Sequence, residues 1–112
     1  MFKDWPEHTA TVKKAFAELG KAHPKMLQAY GSLEQAAAAE ALDAKTRELI
    51  ALAVAITTRC ESCISVHAAA AAKAGATDSE IAGALATAIS LNAGAAYTYA
   101  LRAMEAVETQ RG

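Results

Sequence analysis

The sequence predicts an all-α fold, a single-domain bundle of about six helices. Three observations carry that expectation. Alanine dominates the chain, and it has the best helix propensity and lets helices pack closely. Apolar residues recur at helical spacing in every long segment, and no segment alternates as a strand would. Capping signatures also punctuate the chain at regular intervals. Of the 112 residues 54% are hydrophobic but only 5% are aromatic, so each apolar side chain covers little area. A short chain with such a core gains by assembling with copies of itself, which predicts a homo-oligomer.

Taken in order, the first helix should begin near Pro6, a residue suited to a first helical position. Val12, Phe16 and Leu19 mark its buried stripe, and Gly20 marks its stop. His23-Pro24 opens a second helix, with Leu27 and Tyr30 one turn apart. Gly31-Ser32 predicts a break or kink. Ser32 and Gln35 read as a capping box for a continuation to about Ala41. Asp43 reads as the N-cap of a third helix, from Ala44 to about Thr58. That helix starts polar and is apolar on every side from Leu49 to Ile56, which predicts a buried helix. Glu48 then stands at the mouth of the core. A joint near Thr58-Arg59 leads to a fourth helix ending near Gly75. Thr77-Asp78-Ser79-Glu80 forms a capping box for a fifth, with Ile81, Leu85, Ala88 and Ile89 on its apolar face. A last helix runs from about Ala93 to Thr109, with Tyr97, Leu101 and Met104 on one side and a break or kink at Asn92 and Gly94.

The chemistry concentrates in residues 60–67, Cys60-Glu61-Ser62-Cys63-Ile64-Ser65-Val66-His67. These hold the only two cysteines. On a helix, Cys60, Cys63 and His67 share one face, and Cys63 and His67 lie one turn apart. Thiols three residues apart have Cα atoms about 5 Å from one another, within disulfide range. A helix N-terminus favours a thiolate, which nominates Cys60 as the nucleophile. The nearby imidazole nominates Cys63, and the residues alone leave the two open. Two packed free thiols are the bland alternative. A zinc site is the other rival, but it needs a fourth ligand, for which only Glu48, His23 or His8 is available. Glu48 itself could be no more than a helix-start carboxylate.

The net charge is −1, with acidic and basic residues interspersed and no basic stripe or aromatic platform for nucleic acid. The N-terminus is charged and lacks an apolar signal core. No run of large apolar residues is long enough to cross a bilayer. These features predict a cytoplasmic protein, where a close cysteine pair is catalytic or metal-binding more often than a structural staple.

Asp43-Ala44-Lys45-Thr46-Arg47-Glu48-Leu49-Ile50-Ala51-Leu52-Ala53-Val54, followed by Cys60-x-x-Cys63-x-x-x-His67, Gly75-Ala76-Thr77 and the Glu80-Ile81 helix, resembles the AhpD-like alkylhydroperoxidases of the carboxymuconolactone decarboxylase superfamily. The resemblance covers about residues 40–92. It implies an all-α fold assembled into trimers or hexamers, and thiol-dependent reduction of hydroperoxides without a cofactor. It assigns Cys63 as the peroxidatic cysteine, deprotonated through Glu48 and His67, and Cys60 as the resolving cysteine. It implies an external dithiol donor, lipoyl-type or thioredoxin-like. One departure stands out: the peroxidase members have a second histidine just before the second cysteine, where this chain has Ser62. A hydroxyl passes a hydrogen bond but is no base near neutral pH.

Overall fold

The computed structural model describes residues 2–39 and 41–112. Among these residues five α-helices follow one another: α1 (Trp5–Ala22), α2 (Pro24–Ala37), α3 (Ala44–Thr58), α4 (Glu61–Lys73) and α5 (Asp78–Gln110). The described residues contain no strand, so the all-α expectation holds. α3 is the central element, packed between α4 and α5; α1 lies on α4, and α2 touches α1 alone.

The caps explain the boundaries. Asp4 Oδ1 accepts the Glu7 N–H ahead of α1, with Pro6 in its first turn. His23 closes α1 and opens α2, where its Nδ1 accepts the Met26 N–H and Pro24 begins the new helix. Asp43 Oδ1 accepts the Thr46 N–H at 2.7 Å, which fixes the start of α3 and lowers the Asp43 pKa. At α5 the capping box is complete: Thr77 Oγ1 accepts the Glu80 N–H, and Glu80 Oε1 accepts the Thr77 N–H.

The described residues hold five helices where about six were expected, because the fifth and the last are one continuous helix; Gly31-Ser32 does not break its helix either. α2 continues through Gly31 and Ser32 without interruption. The Ser32 hydroxyl donates to the Gln28 carbonyl one turn back, so it stays inside the helix and caps nothing. α2 then stops at Ala37 instead of about Ala41. α5 likewise runs through Asn92 and Gly94. Asn92 Nδ2 donates to the Ala88 carbonyl and to Thr57 Oγ1, so it ties α5 to α3. Gly20 does not stop α1, which continues to Ala22. It is buried because the Leu27 side chain lies against it, where an added Cβ would overlap.

α3 is less covered than its sequence predicts. Leu52 and Ala55 are buried, but Ile50 and Val54 remain 49% and 55% exposed. Two flanking helices cover only two sides of an all-apolar helix, and the third side stays open. Pocketed on that side is a groove of about 340 Å³ against Ala88 and Leu91 of α5.

Candidate functional site: a dithiol at a helix start beside a Glu–His pair

A single left-handed residue builds the turn before the cysteines. Arg59 caps α3 with φ 54°, ψ 46° and is the only non-glycine residue with positive φ among those described. That conformation costs an L-residue about 1–2 kcal/mol. It turns the chain from α3 into α4 with no further linker, so Cys60 becomes the N-cap of α4.

Cys60 and Cys63 are joined as a disulfide, with Cα atoms 5.2 Å apart. Cys60 Sγ also accepts the Cys63 N–H at 3.2 Å. Cys63 is the third residue of α4, still within the first turn. Both sulfurs therefore sit at the positive end of the helix, whose first N–H groups have no intrahelical acceptor. The helix start favours a thiolate at either position, so it does not separate their roles. Both cysteines are half-buried, and Ser62 between them is exposed.

The sequence places Glu48 and His67 on different helices, and the fold brings them together. Glu48 Oε2 lies 2.6 Å from His67 Nδ1. The Glu48 side chain is 14% exposed and that of His67 37%. A carboxylate accepts only, so Nδ1 carries the proton in this pair and Nε2 of a neutral ring is left as an acceptor. His67 follows Cys63 by one turn of α4, a spacing that puts their Cβ atoms about 5–6 Å apart. Glu48 is therefore paired with the imidazole that follows Cys63 by one turn of α4.

His8 and His23, the other two histidines, stand elsewhere. His23 Nδ1 is engaged by the Met26 N–H at the α1–α2 joint. His8 packs edge-on against Trp5, with ring centroids 5.8 Å apart. Among the described residues, no group of three or more His, Cys, Asp or Glu side chains is gathered as a metal ion would need.

Sequence reasoning missed how α4 is held. Ser65 is buried on the side of α4 away from the imidazole. Its hydroxyl pairs with Thr9 Oγ1 and reaches the Trp5 carbonyl at 3.3 Å. Lys3 pairs with Glu61, the residue after Cys60, and lies over the Trp5 ring at 5.5 Å. The Lys3 ammonium, and then the His8 charge, lower the Glu61 pKa. The N-terminal segment and α1 therefore clamp the start of the dithiol helix. The sequence shows a serine at position 65 in an otherwise mostly apolar stretch, but not that it is buried or what it pairs with. At the far end, Glu80 Oε2 pairs with Lys45 at 2.8 Å, joining the start of α5 to the start of α3. Its pKa is brought down to about 2 by the Lys45 ammonium and the Thr77 N–H.

None of the helices among the described residues is long and apolar enough to cross a membrane.

Comparison with known proteins bears on the fold and the family. The chain is 70% identical over 112 residues to an uncharacterized protein of Haemophilus influenzae, covering 99% of each. It is 37% identical over 95 residues to uncharacterized protein 4 in the cox locus of Paracoccus denitrificans, covering 84% of this chain and 86% of that one. Its fold matches the crystal structure of apo-lpg0406, a carboxymuconolactone decarboxylase family protein from Legionella pneumophila. That match has a TM-score of 0.74 at 35% identity, and covers 93% of this chain and 94% of the other. The family model of the carboxymuconolactone decarboxylase family matches residues 24–106, beyond the motif region at both ends. The chain belongs to the carboxymuconolactone decarboxylase family, within the superfamily that contains the AhpD-like proteins.

Proposed function

We propose that this protein is a thiol peroxidase that reduces hydroperoxides through the Cys60–Cys63 dithiol. The observation that carries the reading is the Glu48–His67 pair, held at 2.6 Å one turn from Cys63. The helix start activates both cysteines, but the acceptor nitrogen of His67 follows Cys63 on the same helix.

The cycle balances as follows. His67, oriented by Glu48, takes the Cys63 proton. The thiolate attacks the outer oxygen of the hydroperoxide and the O–O bond breaks. Cys63 becomes a sulfenic acid, and the leaving alkoxide takes the proton back from His67 as an alcohol. Cys60 then attacks the Cys63 sulfur, water leaves, and the disulfide closes. The 5.2 Å Cα separation of the closed pair is within the usual range for a disulfide. An external dithiol, lipoyl-type or thioredoxin-like, reduces the bond by exchange and leaves as its own disulfide. Ser62 supplies no base, so proton transfer rests on Glu48 and His67 alone.

The test is hydroperoxide consumption by the reduced protein with a defined dithiol. Turnover that disappears in Cys63→Ser is the expected result. Exchange with protein disulfides in the absence of any peroxide turnover would replace this reading with that of a disulfide reductase.

A further inference from the structure

Glu61 is the first residue of α4 and follows Cys60 directly, so the chain places a carboxylate beside the dithiol. Consecutive Cα atoms are about 3.8 Å apart, and the Glu61 charge acts on Cys60 from a distance comparable with the ~10 Å Debye length of 0.1 M salt. A helix start suits a carboxylate as it suits a thiolate, but the two anions repel each other. An unanswered Glu61 would raise the Cys60 thiol pKa and favour the disulfide over the reduced pair.

Lys3 answers that charge. Its ammonium pairs with Glu61 Oε2 and stands 5.5 Å over the Trp5 ring. The hydrogen bond from Lys3, and then its charge, hold the Glu61 carboxyl below its ordinary range, so Glu61 is ionised near neutral pH. The Lys3 side chain is 28% exposed, less than half the 65% of its partner.

The segment that carries Lys3 is itself fixed to α4. The buried Ser65 hydroxyl reaches the Trp5 carbonyl at 3.3 Å and pairs with Thr9 Oγ1. His8 packs edge-on against the Trp5 ring. Lys3, Trp5, His8 and Thr9 thus form one block against the first turns of α4, with Lys3 at the dithiol end. An ion pair at the surface contributes little to stability. Its place beside Cys60 gives this one a different use.

We propose that the Lys3–Glu61 pair sets the reduction potential of the Cys60–Cys63 disulfide: Lys3 cancels the carboxylate beside Cys60 and so keeps the thiolate of the reduced pair stable. Lys3 touches no reacting atom and is a positioning residue that acts through Glu61. Reduction takes two electrons from an external dithiol, which leaves as its own disulfide, and the charges act on the thiolate that this step releases. The inference rests on the dithiol and not on the peroxidase reading, and its test involves no peroxide.

The oxidised protein is equilibrated with reduced and oxidised dithiothreitol at pH 8.5 and low salt. Thiols are trapped by alkylation, and mass spectrometry gives the disulfide fraction. Lys3→Met leaves the carboxylate unanswered and should shift the equilibrium about threefold toward the disulfide. Glu61→Gln leaves the ammonium unanswered and should shift it about threefold the other way. The double variant should return to the wild-type value, and Lys3→Arg should keep it. Salt at 1 M, where the Debye length is about 3 Å, should erase both single shifts. In a Cys63→Ser background, the Cys60 titration followed by thiolate absorbance should move up with Lys3→Met and down with Glu61→Gln. If Lys3→Met fails to fold, Glu61→Gln and its salt dependence decide. Unchanged equilibria, shifts of the same sign in the two single variants, or a double variant that stays displaced overturn the proposal and leave the pair as a mechanical clamp.

Discussion

Glu48 and His67 are 19 residues apart in sequence and 2.6 Å apart in space, and the pair joins the central helix to the dithiol helix. Each residue is positioned by a different device. Glu48 lies in the second turn of α3, whose start is fixed by the Asp43 cap. His67 lies in α4, whose start is fixed by the left-handed Arg59 and the Cys60 cap. With Nδ1 donating to a carboxylate, a neutral imidazole keeps Nε2 as its acceptor.

The first prediction concerns that pair. Glu48→Gln keeps the size and a hydrogen-bonding group but removes the charge that holds the imidazole. Loss of general-base help typically costs about 10²–10⁴ in rate. The reaction of reduced protein with peroxide, followed by stopped flow, should slow by an amount in that range while the helix content stays unchanged. His67→Ala should slow it similarly, and the double variant should be no slower than either single one. Independent, multiplying losses would mean that the two residues act separately.

The second prediction concerns pH. Glu80 has a pKa held at about 2, against an ordinary 4.5, chiefly by the Lys45 ammonium and the Thr77 N–H. The folded state therefore binds fewer protons than the unfolded state between those values. The stabilisation is fully present above about pH 4.5 and is lost as pH falls toward 2. Glu80→Gln should lower the urea midpoint at pH 7, and the gap to the wild type should close as the pH is taken down to 2. Added salt should narrow the gap at pH 7, because the pair lies at the surface. A gap independent of pH would assign the effect to the cap geometry instead of the charge.

Much of this architecture was legible in the sequence because caps are local. Asp43, Thr77 with Glu80, Pro6 and Pro24 each act within one turn, and each helix start falls where they place it. The two false breaks have local causes as well. Gly31 costs a helix interior only about 1 kcal/mol relative to alanine, too little to end α2. Asn92 reads as a breaker, yet its amide finds Thr57 on another helix, a partner that no local pattern reveals. At the site, the Cys-x-x-Cys spacing and the turn to His67 were readable. The closeness of Glu48 to His67 was supplied by family resemblance, since it depends on how α3 meets α4. The Ser65–Thr9 and Lys3–Glu61 contacts were not readable, because they span more than fifty residues. The exposure of Ile50 and Val54 was missed because an all-apolar helix reads as buried whether its cover comes from the same chain or from another.

The division of labour between the two cysteines is the central claim, and one trapping experiment tests it most directly. Reduced Cys60→Ser and Cys63→Ser are each treated with one equivalent of hydroperoxide in the presence of a sulfenic-acid-specific reagent, and the adduct is located by mass spectrometry. Cys60→Ser should give one stoichiometric adduct on Cys63, and Cys63→Ser should give none at a comparable rate. An adduct on Cys60 in Cys63→Ser, with Cys63 unmodified in Cys60→Ser, would contradict the account and make the helix cap, not the Glu48–His67 pair, the source of the reactive thiolate.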